Sequence, residues 1–367
     1  MDCKLLLEFK EETMNRYDQI HLNTLLNKYG RDIQRIYENV IREAAAMGVT
    51  LEIDPTKPFS FKQFPKTNAR VKRLFDKFEK QLQTYIENGI KAQWKLSNEK
   101  TNYLLTSYFA GITLTEAEKQ RYFTNNLQAR DAFIKRTQNG IGLSERIWRY
   151  KNQFEADIEL ALEIGIKNGE SAAEIARNLK QYLNDPQRLY RKVRDELGVL
   201  RLSKSSKEYN SGIGISRSSY QNALRLARTE VNMAYKYAEH LRIKDLDFVL
   251  GIKISLSNNH TCNGFPFFDI CDELAGIYPK TFIFKSWHPN CRCVVTTILA
   301  PIEEFKKNIK EKKNDYKEVA KELSPQFKDW FEKNKDRIQR ASERNTLPYF
   351  IVDNIENEEI KNLMNTL

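Results

Sequence analysis

Residues 247–256 read DFVLGIKISL and residues 293–299 read CVVTTIL. In the first stretch Phe248, Leu250, Ile252, Ile254 and Leu256 alternate, the period of a strand with one buried face. The second is rich in β-branched residues, which suit a pleated, half-buried surface. Pairing the two predicts a small antiparallel β unit at about 247–299, with Leu250, Ile252 and Ile254 in its core. The rest of the chain repeats its apolar residues at helical spacing. The expected class is therefore α+β, mostly α, with long amphipathic helices around one small β unit.

Working outward, residues 218–244 place Tyr220, Leu224, Ala227, Val231, Ala234, Tyr235, Ala238 and Leu241 along one helical face. Residues 203–219 are poor in apolar residues and rich in Ser and Gly, which predicts a loop. Before it, 151–183 reads as a helix pair broken between Gly165 and Gly169. Its second helix opens on Ser171 and Glu174 at capping-box spacing. Helices are also expected over 1–47, 69–95, 115–137 and 144–164, the last with Ser144 as N-cap. Pro55, Pro58 and Pro65 make 48–68 a connection. After Pro301 the chain turns to charged helix. The domain reading is a helical N-terminal region at 1–140, a central domain at 145–300 and a charged helical tail at 301–367.

The chain has 367 residues, 41% of them hydrophobic and 30% charged. That composition excludes a wholly disordered chain and a collagen-like fibre. No apolar run approaches the roughly 18 residues of a spanning helix, and the N-terminus lacks a secretory pattern, so a non-membrane protein of the cytosol is expected. The formal charge is +11, and 301–367 contributes none of it. The densest basic run carries Arg188, Arg191, Lys192, Arg194, Arg201, Lys204 and Lys207. It reads either as a solvated face or as a phosphate-facing patch.

Four of the five cysteines, Cys262, Cys271, Cys291 and Cys293, gather in one window with His260 and His288. Thiolate and imidazole are the donors zinc prefers, and such an ion would pin a long connection that buries little apolar surface. The spacing C-x8-C-x16-H-x2-C-x-C lacks a C-x2-C knuckle. Three readings stay open: a structural zinc site drawn from Cys262, Cys271, His288, Cys291 and Cys293, a pocket of reduced thiols capped by histidine, or a disulfide. Cys291 and Cys293, two apart, would share a face in a regular strand. Trp287 is expected as a core anchor. Arg228 and Glu230 do not face each other on a helix and are expected to make separate ion pairs with the β unit.

The run Trp287-His288-Pro289-Asn290-Cys291-Arg292-Cys293, the strand before it and the helix carrying Ala227-Arg228-Thr229-Glu230 resemble the phage Mu F-like family of minor head (head morphogenesis) proteins. The motifs follow in that order, and the resemblance covers about residues 145–300. It departs at Ser257–Cys262, where Asn and His stand for the family's Asp and Arg, and in the displacement of the next cysteine to 271. The resemblance implies a non-catalytic virion component that partners portal and major capsid protein. It would sit in the capsid interior or at the portal vertex beside packaged DNA, after assembly in host cytoplasm. Two other functions fit parts of the sequence: a zinc-supported nucleic-acid-binding module using the basic run, and a metal-dependent nuclease-like enzyme suggested by His-Pro-Asn beside cysteines. No phosphate loop, nucleophile elbow or paired-acid motif supports an enzyme.

Overall fold

The computed structural model describes residues 14–54, 57–138, 140–184, 192–194, 200–202, 218–258, 260–262, 265–311, 313, 316 and 320–367. The chain forms two compact units, each discontinuous in sequence. One comprises Leu26–Gly89 and Ile134–Arg228, the other Met1–Leu25, Ile90–Phe133 and Thr229–Leu367. The divisions 1–140, 145–300 and 301–367 do not coincide with these units.

The unit of Leu26–Gly89 and Ile134–Arg228 is helical, apart from a hairpin of β1 (Lys192–Arg194) and β2 (Leu200–Leu202). Its helices include Tyr29–Gly48, Leu143–Lys167 and Ala172–Asn184. Tyr37 stands at the centre of the core, its ring 4.8 Å from that of Phe78 and 4.5 Å from that of Phe154. Its hydroxyl is not stranded there, since it lies 2.8 Å from Ser219 Oγ. Gly48 and Gly165 let helices approach closely: a Cβ on either would overlap Leu162 or Ile175. The Ser171–Glu174 capping box forms as expected. Ser144 is not an N-cap. The helix already begins at Leu143, with Gly142 in the cap position.

Other boundaries move for local reasons. The helix expected over 1–47 is Arg16–Asn23, a π-helical turn at Thr24–Lys28, then Tyr29–Gly48. The helix expected over 69–95 extends to Pro65–Tyr108, 44 residues. Proline is tolerated at its first turn, and Gly111, at φ +78°, lies just beyond its end. The stretch 115–137 splits into Glu116–Tyr122 and Leu127–Lys135, with Asn126 at positive φ between them. The helix of 218–244 is Ser219–Ile243.

In the other unit, β3 (Val249–Ser255) pairs antiparallel with β7 (Val294–Leu299), placing Ile254 opposite Val295 and Ile252 opposite Thr297. The short pair β4 (Thr261–Cys262) and β5 (Phe265–Pro266) lies between them in sequence. A third sheet strand, β6 (Gly276–Tyr278), was not expected; it pairs with the opposite edge of β3, giving the order β6-β3-β7. Leu250, Ile252 and Ile254 are buried as expected, but so are Val249 and Gly251. The strict alternation fails there because the core includes part of 301–367. Phe305, Phe327, Trp330, Phe331 and Phe350 join the core built on β3. The charged tail is thus a set of amphipathic helices carrying aromatic anchors. Among the described residues no helix is long and apolar enough to cross a membrane.

Candidate metal centre

The link between β5 and β7 holds the chemistry. Cys271 lies in the short helix Ile270–Glu273, capped by Asp269, whose carboxylate accepts the Cys271 N–H at 2.7 Å. Asp272 reciprocates by accepting the Asp269 N–H at 2.8 Å. These two bonds fix the turn that presents Cys271. The opposite wall is the turn His288-Pro289-Asn290-Cys291, closed by the Cys291 N–H donating to the His288 carbonyl at 3.1 Å. Proline second and a positive-φ residue third, here Asn290 at 63°, are what a type II turn uses.

The two walls bring three buried thiols together. The sulfurs of Cys271, Cys291 and Cys293 lie within 4.8 Å of one another, with Cys271 and Cys291 3.8 Å apart. Sulfurs on one tetrahedral zinc-like ion, each at ~2.3 Å, are separated by ~3.8 Å. Cys291 and Cys293 do converge as their spacing suggested, although both precede β7 and lie outside any regular strand. His288 Nε2 stands 3.0 Å from the Cys271 sulfur and 3.1 Å from Asp269 Oδ2, while its Nδ1 lies 2.8 Å from the Pro289 carbonyl. That carbonyl holds the ring proton on Nδ1 and leaves the Nε2 lone pair facing a sulfur and a carboxylate. Lone pairs so directed need a proton or a cation between them. A second group of donors, His260, Asp269 and Asp272, adjoins through the shared Asp269.

Electrostatics favour one thiolate when no cation is present. Burial opposes ionisation of Cys291, yet hydrogen bonds from Cys271 and Cys293, the charge of Lys236 and the backbone of Trp287 hold its thiol well below the usual range. The same hydrogen bonding to Cys291 raises Cys271, and burial adds to it. Cys293 is also raised, by its bond to Cys291 and by burial, against the bond to Cys271. Three sulfurs this close cannot all ionise without positive charge among them. The three thiols fit a metal ion; His288 groups with Cys271 and Asp269 and not with Cys291 or Cys293, so its ring would have to turn toward them to act as a fourth donor.

The motif residues meet around this centre. Asn290 N–H donates to Thr229 Oγ1 at 3.3 Å, and Asn232 Nδ2 donates to the Cys291 carbonyl at 3.1 Å. Arg292 reaches the Thr261 carbonyl at 3.4 Å, tying the turn to β4. Trp287 is buried against Phe284 and Phe350, the anchor expected of it. Glu230 is buried. Arg228 donates to the Leu26 carbonyl at 2.9 Å. The backbone of Cys262 lies in β4, but its side chain lies outside the described residues, as do Arg188, Arg191, Lys204, Lys207 and the loop 203–217. Lys192, Arg194 and Arg201 lie in β1 and β2, with side chains likewise outside the description.

Two features of this unit escaped the sequence reading. Lys100, buried, meets Asp18 Oδ1 and Glu239 Oε2 at 3.0 Å each and the Val295 carbonyl at 3.0 Å. Lys236, also buried, stands 3.9 Å from the Cys291 sulfur. For Lys236 the available signal was its helical spacing with Asn232 and Glu239, which puts three polar residues on one stripe of the helix. No family model, curated protein or solved structure matches the chain.

Proposed function

We propose that this chain is a phage or prophage minor head protein, acting without catalysis in capsid assembly and in portal-associated DNA packaging or delivery. The observation that carries this reading is the meeting of two motifs separated by some sixty residues. Thr229 of the Ala-Arg-Thr-Glu helix receives the Asn290 N–H of the His-Pro-Asn-Cys turn. Family-like motifs that pack on each other are a stronger pattern than either motif alone. The partners in this reading are portal and major capsid protein, and the protein resides in the capsid interior or at the portal vertex. The basic excess suits non-specific contact with packaged DNA.

In the same reading Cys271, Cys291 and Cys293 hold a structural zinc, with His288 as the nitrogen donor. The ion supplies cross-linking: it joins the Asp269–Glu273 segment to the turn before β7. Asp269 orients Cys271 through its backbone N–H, and the Pro289 carbonyl orients the imidazole.

Co-expression with the portal and major capsid genes, followed by gradient purification of particles, tests the function. The chain is expected in particles at low copy, and its deletion is expected to abolish DNA-filled heads. Filled heads formed without it, and a chain that never sediments with particles, would overturn the reading.

A further inference from the structure

We propose that Lys236 is the counter-charge of the three-sulfur centre, and that it sets the ligand class as a divalent ion carried on three thiolates. This rests on the reading that the centre binds metal. Asn232 and Lys236 lie one turn apart on the helix Ser219–Ile243, and both reach Cys291, the first its carbonyl and the second its sulfur. Lys236 is 4% exposed, and its ammonium lies 4.8 Å from the centre of the Phe284 ring. A desolvated ammonium needs an anion. The other buried lysine of this unit, Lys100, has two carboxylates at 3.0 Å. Lys236 has none: among the described residues no carboxylate oxygen lies within 4.0 Å of it. The nearest anionic group on offer is the Cys291 sulfur.

The formal charges then balance. Counting the buried groups alone, and leaving Asp269, 24% exposed beside His288, to solvent, a divalent ion on three thiolates and a neutral imidazole carries one net negative charge, and one ammonium cancels it. Two thiolates with the same ion would leave Lys236 as an uncancelled buried charge. A monovalent ion on three thiolates would leave a surplus negative charge. The ring face of Phe284 adds attraction for the ammonium without supplying a full charge. Lys236 is thus a positioning residue for the ion, acting through Cys291 rather than as a ligand.

The test uses the full chain, stripped of metal and titrated with zinc against a chromophoric chelator. The wild type is expected to bind one equivalent. Lys236→Met should weaken zinc binding by about tenfold or more, the usual effect of losing an outer partner, and Lys236→Arg should recover most of it. Cobalt(II) supplies a second readout: sulfur-to-metal charge-transfer intensity should fall in Lys236→Met, as one thiolate protonates, and persist in Lys236→Arg. A Cys291→Ser background removes the partner, so Lys236→Met should there cost nothing further; this comparison holds even where the single variant folds poorly. A wild type that takes up no zinc would remove the metal reading itself. A wild type that binds zinc while Lys236→Met matches it in affinity and in cobalt spectrum would leave the metal and overturn the role of Lys236.

Discussion

All four histidines and all five cysteines fall in the unit of Met1–Leu25, Ile90–Phe133 and Thr229–Leu367, while Leu26–Gly89 and Ile134–Arg228 contain neither. The latter unit relies on aromatic and aliphatic packing around Tyr37 and on glycines that admit a neighbouring helix. The former combines an aromatic core with a buried lysine–carboxylate cluster, two buried histidines and the three-thiol centre. Cysteine and histidine chemistry is therefore confined to one unit, although the other also buries carboxylates: burial raises Glu159, and Glu163 accepts the Phe59 N–H. Metal should divide the molecule along that line, and acid should do so through the imidazoles.

Metal removal should produce the largest difference. Where a site is assembled by folding, its binding free energy becomes folding free energy, about 10–16 kcal/mol for small structural zinc sites. Chelation should strip amide-exchange protection from 269–293 and loosen β7, while Tyr29–Gly48 and Leu143–Lys167 keep theirs. Equal loss in both units would break the comparison. Unchanged protection around Cys271 in chelator would mean that the thiols are held by packing alone.

Acid comes next. Burial pushes His21 and His240 down to about 4, from an ordinary value of 6.5. Between those values the unfolded chain binds a proton at each position and the folded chain does not. The contribution is therefore fully present above pH 6.5 and is lost as pH falls toward 4, up to about 3 kcal/mol for each residue. His240→Phe should flatten part of this slope. The difference between variant and wild type, measured by denaturant titration from pH 7 to 4.5, isolates it from any metal loss. A slope identical in the two proteins would place the acid response elsewhere.

Lys100→Met should cost about 3–5 kcal/mol, because it leaves two buried carboxylates facing each other. Converting Asp18 to Asn and Glu239 to Gln in the same chain should restore much of that loss. If the triple variant is no better than Lys100→Met, the lysine acts through packing of its stem and not through charge.

Periodicity made the paired strands, the helical stripes and the Ser171 box readable, because each rests on residues within a few positions of one another. The clustered cysteines were readable as donors, since soft ligands close in sequence are few. The approach of Cys291 to Cys293 was readable from their spacing; that Cys271 joins them was not, because it does so through the Asp269 cap and the Pro289 turn, whose closeness arises only in three dimensions. Strand β6 spans only Gly276–Tyr278, too short to show a period. The aromatic residues of 301–367 were hidden by the charges between them. Lys100 and Lys236 were hidden for the opposite reason: a lysine on a helix is ordinarily solvated, and only its distant partners reveal its burial.

The smallest prediction compares like with like. Each unit has a capping box, Ser171 with Glu174 and Thr115 with Glu118. The local bonds are nearly the same: the glutamate accepts the cap N–H at 2.8 Å in one and 2.7 Å in the other. Loss of either hydroxyl to alanine would cost its own helix about 1 kcal/mol. What differs is coupling to a core. Ala172–Asn184 buries Ile175, Leu179 and Leu183, so its loosened end should register in global stability. Glu116–Tyr122 buries no residue fully, and its contacts with the core, Tyr122 on Phe109 and Phe248, lie at the end away from the cap, so its first turn can fray without unfolding anything else. Ser171→Ala should therefore lower the denaturation midpoint measurably. Thr115→Ala should leave the midpoint within error and raise amide exchange only in its own helix. Equal midpoint shifts would mean that the short helix is tied to the core through contacts other than burial.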